Sequence, residues 1–283
     1  MNYKFLPDQL HSTADLVAEY LKEERSVTGV RAEEQVDAEL GYRPTLYGLN
    51  HEKYIVAIEV QDNINTAHLD SVILDCVTRA IPMKLFLAFP SPATPIPHSL
   101  IESAHKKGLG VIEVRSTGPV VLREALPLSL LGYRLDHKKF PKKMRGTLIE
   151  ATSTFRDGSP AKACALVYDE IEDLSRSIIK KTKKKKMWRK LKSGQKPPKL
   201  NLDNGPWEKV IELFQNFFVL NKKAPKITSN LIHRVAAVTA FRNQSGHKPK
   251  TLAERIRRDG ELRTRLESAA DLLLDLVEAN SQL

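Results

Sequence analysis

The hydrophobic period of this chain changes once, near Gly158, and that change limits the folds open to it. Before it, short apolar runs alternate with amphipathic stretches. TLYGL (45–49) and YIVAIEV (54–60) flank an Asn50-His51-Glu52 turn and read as strands. The second is apolar at nearly every position, as a strand covered on both faces must be. KLFLAF (84–89) and GVIEV (110–114) are further strands. Residues 8–24, about 31–39, 66–80 and 97–108 have helical patterns, the last ended by Gly108. Strands and helices in this order predict an α/β layer sandwich with parallel pairing late in the sheet.

The stretch 117–150 is rich in Pro and Lys and reads as a linker with one short helix. After Gly158 only helical periods remain. Residues 159–181 place Ala163, Leu166, Val167, Ile171, Leu174 and Ile178 on one stripe. Residues 207–221, 227–243 and 261–280 give three more helices, and Thr251 with Glu254 forms a capping box for a short one. The expected division is an α/β domain over 1–116, the linker, and an all-α helical bundle over 151–283.

Charge separates the two parts as sharply as period does. Residues 1–150 carry a net charge of −1 and residues 151–283 a net of +12. A polyanion is the natural partner for the second part, because Lys and Arg release counterions from phosphates. Within it, residues 180–192 hold nine Lys or Arg in thirteen positions. Like charges at that density predict a solvated basic loop over 180–200. Lys183, Lys184, Lys185, Lys186, Arg189 and Lys190 would grip nucleic acid there, with Trp188 available to stack on a base. A solubilising loop is the plainer alternative.

No apolar stretch approaches the about 20 residues of a membrane span, and the start of the chain does not read as a secretory signal. Cys76 and Cys164 lie far apart in apolar helical contexts, which suits two buried thiols in a reducing cytoplasm.

The helix at 227–243 carries an anomaly. Leu231, Val235 and Val238 follow one stripe, and Arg242 is next in the series, about three turns from Leu231. A guanidinium aimed along a packing face is costly unless it meets a partner or a ligand. Ser245-Gly246 then breaks the helix and His247 follows. This segment, FRNQSGH, resembles the signature of the HEPN superfamily, and the resemblance spans about 150–283. It implies a metal-independent endoribonuclease, without cofactor, whose site forms at a homodimer interface. Arg242 would hold phosphate, His247 would move protons, and Asn243 would help position them. The products implied are 2′,3′-cyclic phosphate and 5′-OH ends. The plain alternative makes Arg242 a helix-end charge and His247 a loop residue.

The element order in 1–115 resembles the restriction-endonuclease-like core. Active members hold a divalent metal with an acidic residue on one strand and Glu-x-Lys on the next. Here Glu59-Val60-Gln61 stands at the second place, RPTLYGLNHE (43–52) lacks the first carboxylate, and Glu34 is a candidate accessory. The resemblance implies a degenerate domain that senses or binds substrate. A metal-dependent DNA nuclease through Glu59 and Gln61, and a non-enzymatic nucleic-acid-binding module, are the competing expectations. The combination resembles bacterial antiphage defence or toxin arrangements, with RNA as target, DNA contact through the first domain, and further defence proteins as partners.

Overall fold

The computed structural model describes residues 1–36, 40–92, 96–191, 196–220, 229–242 and 248–283. The chain divides into two compact units, neither of them a single stretch of sequence. Unit 1 comprises Met1–Tyr133, Arg156–Gly158 and Lys248–Gly260; unit 2 comprises Arg134–Phe155, Ser159–His247 and Glu261–Leu283.

Unit 1 is built on a six-stranded sheet whose strands lie side by side in chain order. They are β1 (Thr28–Ala32), β2 (Leu46–Leu49), β3 (Ile55–Val60), β4 (Met83–Pro90), β5 (Gly110–Arg115) and β6 (Gly118–Arg123). The pairs β1–β2, β2–β3 and β5–β6 are antiparallel, while β3–β4 and β4–β5 are parallel. Each parallel pair needs a crossover, supplied by α2 (Asp70–Thr78) and α3 (His98–Lys106). Helix α1 (His11–Glu23) covers the other face.

Residue parity decides which face each side chain meets. Val56, Ile58, Phe86 and Ala88 join the core under α1. Ala57, Leu85, Leu87 and Phe89 join the core with Cys76 of α2 and Ala104 of α3. The apolar run in β3 is thus consumed from both sides. Gly108, at φ +85°, closes α3 by returning its amide to the His105 carbonyl at 2.8 Å.

Near the sheet, Arg255 and Asp259 are buried at 7% and 6% exposure. The Arg255 Nη1 donates to Asp259 Oδ1 at 3.2 Å, and its Nε donates to the Glu52 carbonyl at 2.8 Å. Tyr54 lies under the guanidinium, 4.4 Å from ring centroid to Cζ, and its hydroxyl donates to Asp259 at 3.4 Å. Burial raises the Asp259 carboxyl above the ordinary aspartate range, opposed by the charge of Arg255. The pair is tolerated because its polar atoms find partners.

Unit 2 contains α4 (Lys142–Arg156, up to Phe155), α5 (Pro160–Lys184), α6 (Trp207–Phe217), α7 (Ser229–Arg242) and the later part of α8 (Leu252–Ser281). Of the stripe read from sequence in α5, Ala163, Val167, Ile171, Leu174 and Ile178 are buried and Leu166 is half-buried. The all-α bundle expected for 151–283 is overturned, because β7 (Trp188–Lys190) and β8 (Phe218–Leu220) pair as an antiparallel two-stranded sheet. Aromatic packing accounts for the departure. The Phe218 ring stacks on Phe214 at 5.3 Å and Trp188 meets Phe214 edge-on at 4.6 Å. The chain leaves the helix at Phe218 to satisfy those contacts.

Three further expectations change. The helix read over 31–39 is not found where the chain is described: 31–32 belong to β1, pairing Arg31 with Tyr47 and Ala32 with Leu46, 33–36 are not helical, and 37–39 lie outside the described residues. Glu33 ends that strand at φ +51°, and its carboxylate accepts the backbone amides of Lys4, Phe5 and Leu6. The stretch 117–150 holds β6 and the first turns of α4, whose buried residues Met144, Leu148, Ala151 and Phe155 follow a helical period. The short helix after Thr251 and the helix over 261–280 are one helix, α8, running through Gly260. Among the described residues no helix is long and apolar enough to cross a membrane.

Two glycines give opposite expectations for the same change. A Cβ on Gly110 would collide with the Phe86 ring and come within 2.7 Å of the Ala125 amide nitrogen. One on Gly260 would meet nothing within 4 Å. Gly110→Ala is expected to cost about 1–3 kcal/mol, as overpacking does. Gly260→Ala should add up to about 1 kcal/mol through helix propensity. Urea denaturation of the two variants checks both signs.

Candidate functional site

Glu59 sits near the end of β3, on the face shared with α2 and α3. Its carboxylate is enclosed. The Tyr42 hydroxyl donates to Oε1 at 2.7 Å, and the Thr45 hydroxyl approaches Oε2 at 3.5 Å while accepting the Val60 amide at 3.1 Å. Burial pushes the Glu59 carboxyl above its ordinary value, and the Tyr42 bond, the charge of His68 and the Thr45 bonds oppose the rise. Burial and the neighbouring carboxylate push the Tyr42 phenol well above its usual range.

The other two residues of the expected vestigial nuclease site are engaged elsewhere. The Gln61 side chain donates to the Asn65 carbonyl and accepts the Asn65 amide, each at 3.3 Å, closing the loop after β3. Glu34 follows β1 in irregular backbone, not a helix, and makes an exposed ion pair with Arg31 at 3.1 Å. No group of three or more His, Cys, Asp or Glu able to hold a metal ion occurs among the described residues. The donor set around Glu59 does not fit a divalent cation: its hydrogen-bond partners among the described residues are the hydroxyls of Tyr42 and Thr45, which donate to it. Tyr42 and Thr45 were not legible as its partners, since their proximity depends on how β2 and β3 pair.

Of the loop read over 180–200, residues 180–184 continue α5 and 188–190 form β7, while 192–195 lie outside the described residues. Lys180, Lys181, Lys183 and Lys184 lie in α5, the last three in its final turn, where positive charge complements the helix dipole. Lys180 pairs with Asp203, Lys181 donates to the Asn280 side chain at 2.8 Å, and Lys185 donates to the Leu283 carbonyl at 2.6 Å. Lys186, at φ +55°, turns the chain toward β7 and is exposed. The exposed side chains of Lys183, Lys184, Arg189 and Lys190 make no hydrogen bond or ion pair among the described residues. Trp188 is anchored: its indole N–H donates to Thr182 at 2.7 Å and its ring packs on Phe214. Trp188 is half-buried by these contacts, so its ring is not the free stacking platform that the sequence suggests.

Helix α7 buries Leu231 and Val235 and half-buries Val238, so the stripe leading to Arg242 is a packing stripe. It packs against α5 and α6. Thr239 accepts the Trp207 indole N–H at 2.9 Å, and Arg234 pairs with Asp275 of α8. His233 is exposed, beside Gln215. Arg242 is the last residue of α7; its side chain, Asn243 and His247 lie outside the described residues. The chain resumes at the expected capping box. The Thr251 hydroxyl accepts the Glu254 amide at 3.1 Å and the Glu254 carboxylate accepts the Lys250 amide at 2.7 Å.

The Glu59 environment yields a pH expectation. The folded protein holds the Glu59 proton more tightly than the unfolded chain does, so this group favours folding most below its ordinary value of 4.5. That contribution is lost as pH rises through the folded-state value. Glu59→Gln keeps an acceptor for Tyr42 and cannot ionise. Its melting temperature relative to wild type should therefore rise from pH 4 to pH 8; a difference independent of pH would refute the assignment. Compared with known proteins, the chain matches no family model, no curated protein and no solved structure.

Proposed function

We propose that the chain is a metal-independent endoribonuclease using HEPN-type chemistry, with unit 1 as a non-catalytic sensing or substrate-binding part. The observation that carries this reading is the sequence Arg242-Asn243-Gln244-Ser245-Gly246-His247, set where the buried stripe of α7 ends. Two features support it. Four exposed cations near the end of α5 and in β7 are unspent on protein partners among the described residues. The acidic residue best placed for metal-dependent cleavage, Glu59, is instead enclosed by hydroxyl donors.

The chemistry asks little of the protein. A ribose 2′-OH attacks the adjacent phosphorus, the P–O5′ bond breaks, and a 2′,3′-cyclic phosphate and a 5′-OH result. His247 accepts the 2′ proton or delivers one to the leaving oxygen, since imidazole titrates near neutrality. Arg242 holds the phosphate oxygens and stabilises the charge that develops on them. Asn243 positions the phosphate or the imidazole. In this reading two copies of the chain share one cleft, and the enzyme acts in the cytoplasm within a defence or toxin system, consistent with two buried unpaired thiols.

The unspent lysines also favour a second reading, in which the protein binds nucleic acid without cutting it. One experiment separates the two. Incubate the full chain with single-stranded RNA in EDTA and determine the chemistry of the 3′ ends. The proposal expects cyclic phosphate ends and a loss of about 10²–10⁴-fold in rate for His247→Ala and Arg242→Ala. Salt-sensitive binding with no turnover in wild type would favour the second reading. Cleavage equal in wild type and both variants would sink the first.

A further inference from the structure

The nine Lys and Arg of residues 180–192 are not equivalent, because the fold spends some of them and leaves others. Lys180 pairs with Asp203, Lys181 donates to the Asn280 side chain and Lys185 to the Leu283 carbonyl. Lys186 is exposed and makes the turn out of α5, and Lys192 lies outside the described residues. Lys183, Lys184, Arg189 and Lys190 remain. Their side chains are exposed and have no hydrogen-bond or ion-pair partner among the described residues.

Local geometry gathers those four on one ordered frame. The Lys186 amide returns to the Lys183 carbonyl at 3.0 Å and the Met187 amide to the Thr182 carbonyl at 2.9 Å, a helix cap closed by one left-handed residue, Lys186 at φ +55°. The turn thereby satisfies carbonyls that would otherwise present the negative end of α5 to an approaching anion. Beyond the turn the Trp188 indole donates to Thr182 at 2.7 Å, so strand residue 188 lies beside helix residue 182. Lys183 and Arg189 each adjoin one member of that pair along the chain, about 3.8 Å from Cα to Cα. Lys184 and Lys190 are one residue further on. β8 holds one edge of β7 through the pairs Arg189–Val219 and Lys190–Phe218, and no strand pairs with the other edge among the described residues. Arg189 and Lys190 leave β7 on opposite faces, so a polyanion running along the unpaired edge is reached from both.

We propose that Lys183, Lys184, Arg189 and Lys190 form one preorganised surface that binds the phosphodiester backbone of single-stranded RNA without reading its bases. Lys180, Lys181 and Lys185 belong to the same basic run but stand outside this surface, and Trp188 is its anchor. A surface already held by the helix cap and by β8 spends little of its binding energy on ordering itself. Contacts to phosphate position a strand and carry no sequence information. The choice of RNA rests on the nuclease reading above; the location of the surface and its indifference to sequence do not.

The test uses the full chain and two fluorescent 2′-O-methyl oligonucleotides of about 15 nucleotides, oligo-A and oligo-U, with affinity followed by anisotropy across a salt series. These probes lack the 2′-OH nucleophile, so binding is read without cleavage and failure of the nuclease reading leaves the result interpretable. Two triple variants remove the same charge from the same run: K184Q/R189Q/K190Q from the proposed surface, K180Q/K181Q/K185Q from the tethered set. The first is expected to weaken binding about tenfold or more at about 0.1 M salt, and to flatten the plot of log K against log salt by about 2, at about 0.7 per lost phosphate contact. The second should leave affinity within about threefold of wild type and the slope unchanged. Oligo-A and oligo-U should bind wild type within about threefold of each other. Circular dichroism checks that both variants fold. Equal weakening by the two triples would reduce the effect to net charge and overturn the proposal. So would binding unaffected by the first triple, a preference of about tenfold or more for one base, or no binding by wild type. Cleavage of RNA that survives K184Q/R189Q/K190Q undiminished would reject this surface and leave the nuclease reading standing.

Discussion

Strands β3, β4 and β5 pair in parallel and must be covered on both faces, and most of unit 1 follows from that requirement. Parallel neighbours cannot be joined by a tight turn, so α2 and α3 become crossovers and also become the cover for one face. The other face falls to α1. Two consequences matter for chemistry. A polar side chain on these strands must be answered locally, as Glu59 is by Tyr42 and Thr45. Where cover is incomplete, as near Lys84 at the start of β4, a cavity remains, and the ammonium there pairs with Glu52 at 3.7 Å.

The parts of the fold legible in sequence are those fixed by local period. The α5 stripe, the strands β2 to β5 and the Thr251–Glu254 capping box all show in residues adjacent along the chain. What escaped was decided at a distance. Thr28–Ala32 has no strong strand signal alone; its pairing with β2 makes it a strand. Strand β6 begins Gly118-Pro119, residues that read as loop, and is held by β5 across a two-residue turn. Phe218 continues a helical pattern yet leaves the helix to stack on Phe214. The two helices read after Thr251 and over 261–280 are one, and Gly260 lies within it with open space beside it.

The candidate sites divide in the same way. Glu59 is visible in sequence as a carboxylate in an apolar strand, but its role depends on hydroxyls contributed by residues 42 and 45. The lysine run is visible as charge, whereas its division into tethered and unspent members depends on Asp203, Asn280 and Leu283. Trp188 shows the same limit: composition offers a stacking ring, and Thr182 and Phe214 turn it into an anchor. The Arg242 and His247 pairing is the reverse, a signal carried by spacing alone.

The interleaving of the two units constrains how the chain can be taken apart. Lys248–Gly260 belongs with the sheet of unit 1, although the helix it begins continues to Ser281 in unit 2. A fragment ending anywhere before Arg255 would leave the Tyr54 ring uncovered and the Glu52 carbonyl without its donor. A fragment starting at residue 134 would carry Arg255 and Asp259 without the pocket that shelters them, presenting a charged pair where an aromatic wall had been. Excision by simple truncation therefore severs a contact internal to unit 1, and a separable half would have to be made by circular permutation or by rejoining the 248–260 segment to the sheet of that unit.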